Sequence, residues 1–336
     1  QNEDGGYLLI SKNSGPWYSD SYLWLLKVDI SGDMLNSNIL STGDSSVYYV
    51  GFQAVVRDLE NNRYLIGSQL DELAGFVSDG VVFKLDSNNH LIWKKDFGGT
   101  KNEALDALTM TSSNELIFAG VSHSFGDSTW GNIYVVKTDT AGELIWQKSL
   151  GINNFPERCW SMDTTADGGY VLTGTQGFYE QDNVFVIKID SLGNQKWKKT
   201  FGAPIGHNRF PRIRTLQNGE FLLTTGQKTS IDGQSKAYIA RLSPTGVKLW
   251  DKYYPGEEWH SWFGFSTELP GGSLVNAGGV MEFDSTNNNY WVLGTLTKTD
   301  AQGNLMWQRK YYTRHDLDNY FFGMTPTSDA GFLMCG

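Results

Sequence analysis

Short apolar runs, all but the first closed by glycine, recur along this chain and are separated by polar stretches of varying length. They stand at 5–10 (GGYLLI), 64–67, 116–120, 170–174, 221–226, 274–278 and 332–336. Each of the first six is followed by a second run such as 184–189 (VFVIKI), apolar on both alternating faces. Runs of four to eight residues bounded by turn residues predict strands, and apolarity on both faces predicts a sheet covered on both sides. Before each of the last six glycine-closed runs the pattern predicts a further strand, as at 104–111, 159–165 and 263–269. No helix-period segment of convincing length interrupts them.

The second run ends in a Lys-x-Asp unit: Lys27 to Asp29, Lys84 to Asp86, Lys137 to Asp139, Lys188 to Asp190, Arg241 to Ser243 and Lys298 to Asp300. The leading residues lie 57, 53, 51, 53 and 57 positions apart. Three residues beyond the Asp position stands Gly32, Asn89, Gly142, Gly193, Gly246 or Gly303. Seven beyond it stands Trp93, Trp146, Trp197, Trp250 or Trp307, with Asn36 in the first copy. Aspartate folds onto its own backbone and glycine accepts positive φ, so the spacing predicts a tight turn between antiparallel strands. The tryptophan is then expected to be largely buried as a wedge between neighbouring sheets.

Four strands in a period near 50 residues predict the blade of an all-β propeller. The copies run over about 5–60, 61–112, 113–165, 166–216, 217–269 and 270–327, and a partial seventh covers 328–336 as one strand. Together they make one domain of 336 residues. The unfinished last copy and the missing first strand predict that the native chain continues and completes seven blades.

Charge and composition narrow the function. With 37 acidic against 27 basic residues, the net charge of −10 argues against nucleic acid and anionic membranes. No apolar run is long enough to span a bilayer. Cys159 and Cys335 are expected to pack as small apolar residues. An opening on Gln1 rather than Met predicts that a signal peptide has been removed, and hence an extracellular or outer-surface location.

The unit from Asp190 to Trp197 resembles the tryptophan-docking motif of quinoprotein-like propellers. The fuller pattern TADGGYVLTG at 165–174, followed by KIDSLGN, resembles secreted repeat propellers of the Bacteroidota. That resemblance implies export by type IX secretion, with secretion-machinery contacts made through a C-terminal region not in these residues.

Loops between second and third strands, and those leading to the next blade, are expected to share one face, where function on a rigid scaffold tends to sit. Aromatic residues punctuate them: Trp17, Tyr18, Phe76, Phe125, Trp130, Phe178, Tyr179, Trp259, Trp262 and Phe283. Exposed rings of this kind anchor proteins or stack on sugars. The candidate binding residues are therefore Trp17, Tyr18, Trp130, Tyr179, Trp259 and Trp262, rimmed by Glu257, Glu258, His260 and Asp316. The reading is a non-enzymatic module that binds a protein or glycan at the cell surface, with no cofactor, metal or catalytic residue. The alternative is glycan binding or hydrolysis, with Glu257, Glu258 and Asp316 as the carboxylates such chemistry needs. Arg209, Arg212 and Arg214 lie near the start of one blade, with Arg212 and Arg214 alternating on one strand, and read as structural.

Overall fold

Local turn chemistry builds the architecture, and it does so at each repeat. The carboxylates of Asp29, Asp86, Asp139, Asp190 and Asp300 each accept the backbone N–H groups two and four residues on, at 2.8–3.0 Å. The Ser243 hydroxyl does the same work at 3.3 and 3.1 Å. The residue three positions on has φ between 69° and 89° in all six turns, which glycine takes without cost and Asn89 tolerates.

These turns are seen in a computed structural model that describes residues 5–13, 22–41, 47–71, 77–126, 130–151, 155–178, 181–202, 209–228, 233–254, 260–284, 288–311, 321, 323–327 and 331–335. Among them there is no helix. The chain divides into two units, Gln1–Cys159 and Trp160–Gly336.

In the first unit, β1 (Tyr7–Asn13), β2 (Tyr22–Val28) and β3 (Met34–Ser41) form a three-stranded sheet. Two four-stranded sheets follow in chain order: β4 (Val47–Arg57) to β7 (Leu91–Phe97), and β8 (Glu103–Met110) to β11 (Leu144–Leu150). The next sheet opens on β12 (Glu157–Thr164), which carries the boundary, and continues as β13 (Tyr170–Phe178), β14 (Gln181–Ile189) and β15 (Gln195–Phe201). The second unit adds β16 (Arg209–Thr215), β17 (Phe221–Lys228), β18 (Ser235–Leu242) and β19 (Lys248–Tyr254), then β20 (His260–Glu268), β21 (Leu274–Asp284), β22 (Asn289–Thr299) and β23 (Leu305–Tyr311). A two-stranded sheet of β24 (Gly323–Pro326) and β25 (Phe332–Cys335) ends it. Each sheet is an antiparallel meander, the blade of a β-propeller.

The last sheet pairs 323–326 with 332–335 residue for residue, so the strand expected before the last glycine-closed run is present and lies ahead of the boundary read at 328. The first sheet has three strands among the described residues.

Burial on both faces is what the runs predicted. On the second blade Leu65, Val81, Phe83 and Leu85 pack against Leu23, Leu25 and Leu40 of the first. Their neighbours Tyr64, Ile66 and Val82 pack the other way, against Leu105, Phe118 and Tyr134 of the third. The fifth blade repeats the arrangement, Leu223 and Tyr238 meeting Val184 and Val186 while Leu222 and Ile239 meet Phe263. Cys159 is buried as a small apolar residue, and the Cys335 side chain lies outside the described ones.

The repeat tryptophans need a correction. All five occupy the same register, facing Lys84, Lys137, Lys188, Arg241 and Lys298 on the third strand. Yet they are half-buried rather than largely buried, and Trp307 is 37 % exposed. The cause is where the ring goes. It leaves the sheet edge and lies on the turn glycine of the next blade: Trp93 on Gly142, Trp197 on Gly246 and Trp250 on Gly303. A Cβ on those glycines would stand 3.1, 2.9 and 2.7 Å from the ring. Each of these rings is thus covered by the turn of the next blade yet keeps part of its surface exposed.

The Lys of Lys-x-Asp gains a partner in the turn between first and second strands. Lys137 pairs with Glu115 at 2.7 Å, and Lys188 pairs with Asp167 at 2.8 Å. The hydrogen bonds from Lys188, with one from Thr165, lower the Asp167 carboxyl from 3.8 to about 2. A depressed carboxyl stabilises the fold above its ordinary pKa, and that contribution is lost as pH falls through the folded value. Asp167→Asn is therefore expected to lower the urea midpoint at pH 7. The difference from the native protein should vanish as pH drops from about 4 to about 2. A gap that stays constant down to pH 2 would contradict this role.

Candidate ligand-binding cleft

The Asp-type turn also closes the first hairpin of each blade, which sequence reasoning missed. Asp58, Thr111, Thr165, Leu216 and Leu269 take the Asp position, and the N–H of Asn61, Asn114, Gly168, Gly219 or Gly272 bonds back to its carbonyl. In the fifth and sixth blades that position is leucine. The turn keeps its backbone bonds without a side chain at the leucine position to cap the amide two residues on, although in the fifth blade Asn218 Oδ1 accepts the Glu220 N–H at 3.1 Å. Among the described residues, the N–H groups of Asn218 and Gly271 have no acceptor.

Those two leucine turns border a cleft of about 690 Å³ in the second unit. One wall is the end of β16, carrying Arg214 and Thr215, with the turn at Leu216, Gln217 and Asn218. The other is the end of β20, carrying Ser266, Thr267 and Glu268, with the turn from Leu269 to Gly272. Arg241, Leu222 and Pro326 complete it.

The walls are well held. Against β12, the Thr215 N–H donates to Asp163 Oδ2 at 2.8 Å, and the Thr215 hydroxyl donates to the Thr164 carbonyl at 2.7 Å. The Ile213 N–H donates to Ser161 Oγ at 3.2 Å. Ser266, itself buried, donates to Asn276 Oδ1 at 2.6 Å. Arg241 replaces the usual lysine and bridges two blades, gripping Glu220 of its own and Glu268 of the next, the latter at 3.3 Å. Burial is the largest influence on the Glu220 carboxyl and pushes it up, but the hydrogen bonds from Arg241 and Asn218 and the charge of Arg241 together outweigh it, and the net displacement is downward. Burial likewise raises Asp163, against the pull of its backbone hydrogen bonds and the nearby charge of Arg214.

Arg214 differs from every other charge in the cleft. It is exposed, and among the described residues it has no hydrogen-bond or ion-pair partner. Its neighbour Arg212 behaves as the sequence predicts for a structural residue, donating to the Trp160 carbonyl and lying 5.6 Å over Phe265. The Arg209 side chain lies outside the described ones.

The sequence-derived candidates divide. Trp17, Tyr18, Tyr179, Trp259, Glu257, Glu258 and Asp316 lie outside the described residues, as does Phe76. Trp130 is 55 % exposed, as a ligand anchor requires. Trp262 is a correction: it is 5 % exposed, because its ring wedges against the bare backbone of Gly279 and its stem against Gly226. His260 accepts the Ser235 N–H on Nδ1 at 3.0 Å, so that nitrogen ties two blades together. Phe125 stacks on Tyr134 at 5.1 Å, whereas Phe178 and Phe283 are exposed.

The expected loop face of the first unit holds one acid that no motif announced. Glu103 is buried and accepts bonds from Ser122 Oγ, the Ser124 N–H and the Gly99 N–H at 2.7, 3.0 and 2.7 Å. Those bonds clamp two loops together. Among the described residues no cluster of His, Cys, Asp or Glu could hold a metal, and no helix is long and apolar enough to cross a membrane.

No family model matches the chain, and no curated protein matches it. Solved structures do. A protein of unknown function from Dyadobacter fermentans shares 9 % identity over 92 % of each chain, with a TM-score of 0.54. The Pan2 WD40 domain of Neurospora crassa shares 10 % over 99 % of this chain and 83 % of that one, at 0.56. A polysaccharide lyase, an ulvan lyase described as bound to -[GlcA(1-4)Rha3S]-, shares 8 % over 93 % and 83 %, at 0.57. The likeness is one of fold. It places the chain with β-propellers, a scaffold that hosts many functions.

Proposed function

We propose that the protein is a secreted or cell-surface propeller that acts as a non-enzymatic binding module. Its ligand site is the cleft between the fifth and sixth blades. The observation that carries this reading is an open concavity of about 690 Å³ on rigid strand ends, in the size range of ligand sites. It combines an apolar base, free backbone amides and one open cation. Its carboxylate Glu268 is engaged by Arg241, which suits a fixed counter-charge more than a group that must exchange protons. Trp130 offers a separate anchor for a protein partner on the first unit. Export by the type IX route belongs to the same reading and rests on the repeat's resemblance to secreted propellers.

The test is a glycan array and a pull-down of outer-surface proteins, run with the native chain, Thr267→Trp and Trp130→Ala. Thr267→Trp fills the cleft and is expected to abolish glycan retention while leaving the thermal midpoint close to native. Trp130→Ala should affect only protein capture. New reducing ends released from a bound glycan would overturn the non-enzymatic reading, and retention unchanged by Thr267→Trp would overturn the placement of the site.

A further inference from the structure

We infer that the cleft recognises a small ligand bearing a single carboxylate beside hydroxyl groups, of which an acidic monosaccharide is the simplest form. The inference rests on the proposal that the cleft is the ligand site, and it names the ligand's chemistry.

The charges decide the matter. Four charged groups other than Arg214 lie in or beside the cleft: Arg241, Glu220, Glu268 and Asp163. Arg241 is neutralised twice over by the two glutamates it grips. Asp163 is mostly committed to the backbone N–H groups of Thr164 and Thr215. Among these charges, Arg214 alone lines the cleft with no hydrogen-bond or ion-pair partner among the described residues, its charge acting only at a distance on Asp163. A guanidinium offers parallel N–H donors in a planar fork that fits a carboxylate, and a hydrogen bond between charged groups is about twice as strong as a neutral one.

The remaining lining suits hydroxyls. The side chains of Thr267 and Gln217 and the open N–H groups of Asn218 and Gly271 offer both donors and acceptors. Gly271 has φ of 91°, and a Cβ there would meet nothing within 4 Å, so its backbone is open to an approaching ligand. Pro270, Pro326 and Leu216 supply apolar surface for the C–H face of a ring. Size and field set the upper limit. The volume holds one or two sugar rings, and a chain of net charge −10 repels an extended polyanion while admitting a single carboxylate.

The experiment is isothermal titration of glucuronate, with glucose as the neutral match, into the native protein, Arg214→Gln, Arg214→Lys and Thr267→Trp. Arg214 is exposed, so its variants are expected to keep the native thermal midpoint, and circular dichroism checks the fold of all three. Glucuronate should bind the native protein and weaken about 10- to 100-fold in Arg214→Gln, the worth of a charged hydrogen bond. Arg214→Lys, which keeps the charge without the fork, should fall between. Glucose should bind far more weakly and ignore Arg214. If both sugars bind alike, indifferent to Arg214→Gln but abolished by Thr267→Trp, the carboxylate inference fails and the cleft reading stands. If glucuronate binds and neither position matters, both fail. If the native protein binds no glucuronate, the inference fails, and the glycan array decides the cleft reading by itself.

Discussion

Replacing Phe263 by alanine is expected to destabilise the second unit by about 3–5 kcal/mol, the range for deleting a fully buried aromatic. Phe263 has no exposed surface and sits where the sixth blade meets the fifth, among Leu216, Leu222, Ile239 and Leu274. The ring of Tyr254 meets it edge to face at 5.3 Å. Its neighbours come from strands of two sheets whose backbones are fixed by their own ladders, so the vacated space cannot collapse. Leu305→Ala provides the control, since that side chain is 54 % exposed and should change stability by less than about 0.5 kcal/mol. Urea midpoints of both variants check the contrast. Equal effects would contradict face-to-face stacking of these blades.

Gly246→Ala carries the second large effect, and its origin can be separated into two parts. The residue has φ of 79°, where an alanine costs roughly 1 kcal/mol or more. Its new Cβ would also stand 2.9 Å from the Trp197 ring, closer than real carbons approach. The ring must therefore lift from the turn, and the expected total is about 2–3 kcal/mol. In a Trp197→Ala background the second part disappears, and Gly246→Ala should cost only the backbone share. Trp197→Ala itself should cost about 2 kcal/mol rather than the 3–5 of a fully buried ring, because the ring is only half-buried. The coupling, on the order of 1 kcal/mol, is read from a double-mutant cycle. Strict additivity would mean that the tryptophan does not dock on the glycine.

The blades were legible because their determinants are local. An Asp capping its own turn, a residue with positive φ and a run apolar on both faces need nothing from distant residues. What stayed hidden depends on neighbours one blade away. That Trp197 lies on Gly246 rather than deep in a core follows from a packing distance across 49 residues, which spacing alone does not reveal.

The candidate site was less legible, and for the same reason. Leu216 and Leu269 break the Asp pattern and so look like lapses in a repeat, although their turns keep the backbone geometry. Arg214 shares a strand with Arg212 and cannot be told from it by sequence, yet one is engaged by Trp160 and Phe265 and the other is open. Trp262 looked like a loop anchor because it follows a polar segment, whereas Gly279 makes room for its ring and Gly226 for its stem. Glu103 opens a strand as any surface acid could, and only the fold brings Ser122 and Gly99 to its oxygens.

The central claim is that ligand enters between the fifth and sixth blades, and hydrogen–deuterium exchange with saturating glucuronate tests it most directly. The account predicts slower exchange in the peptides covering 214–218 and 266–272, lost in Arg214→Gln. Unchanged exchange in those two turns, with slowing confined to peptides around Trp130, would contradict it.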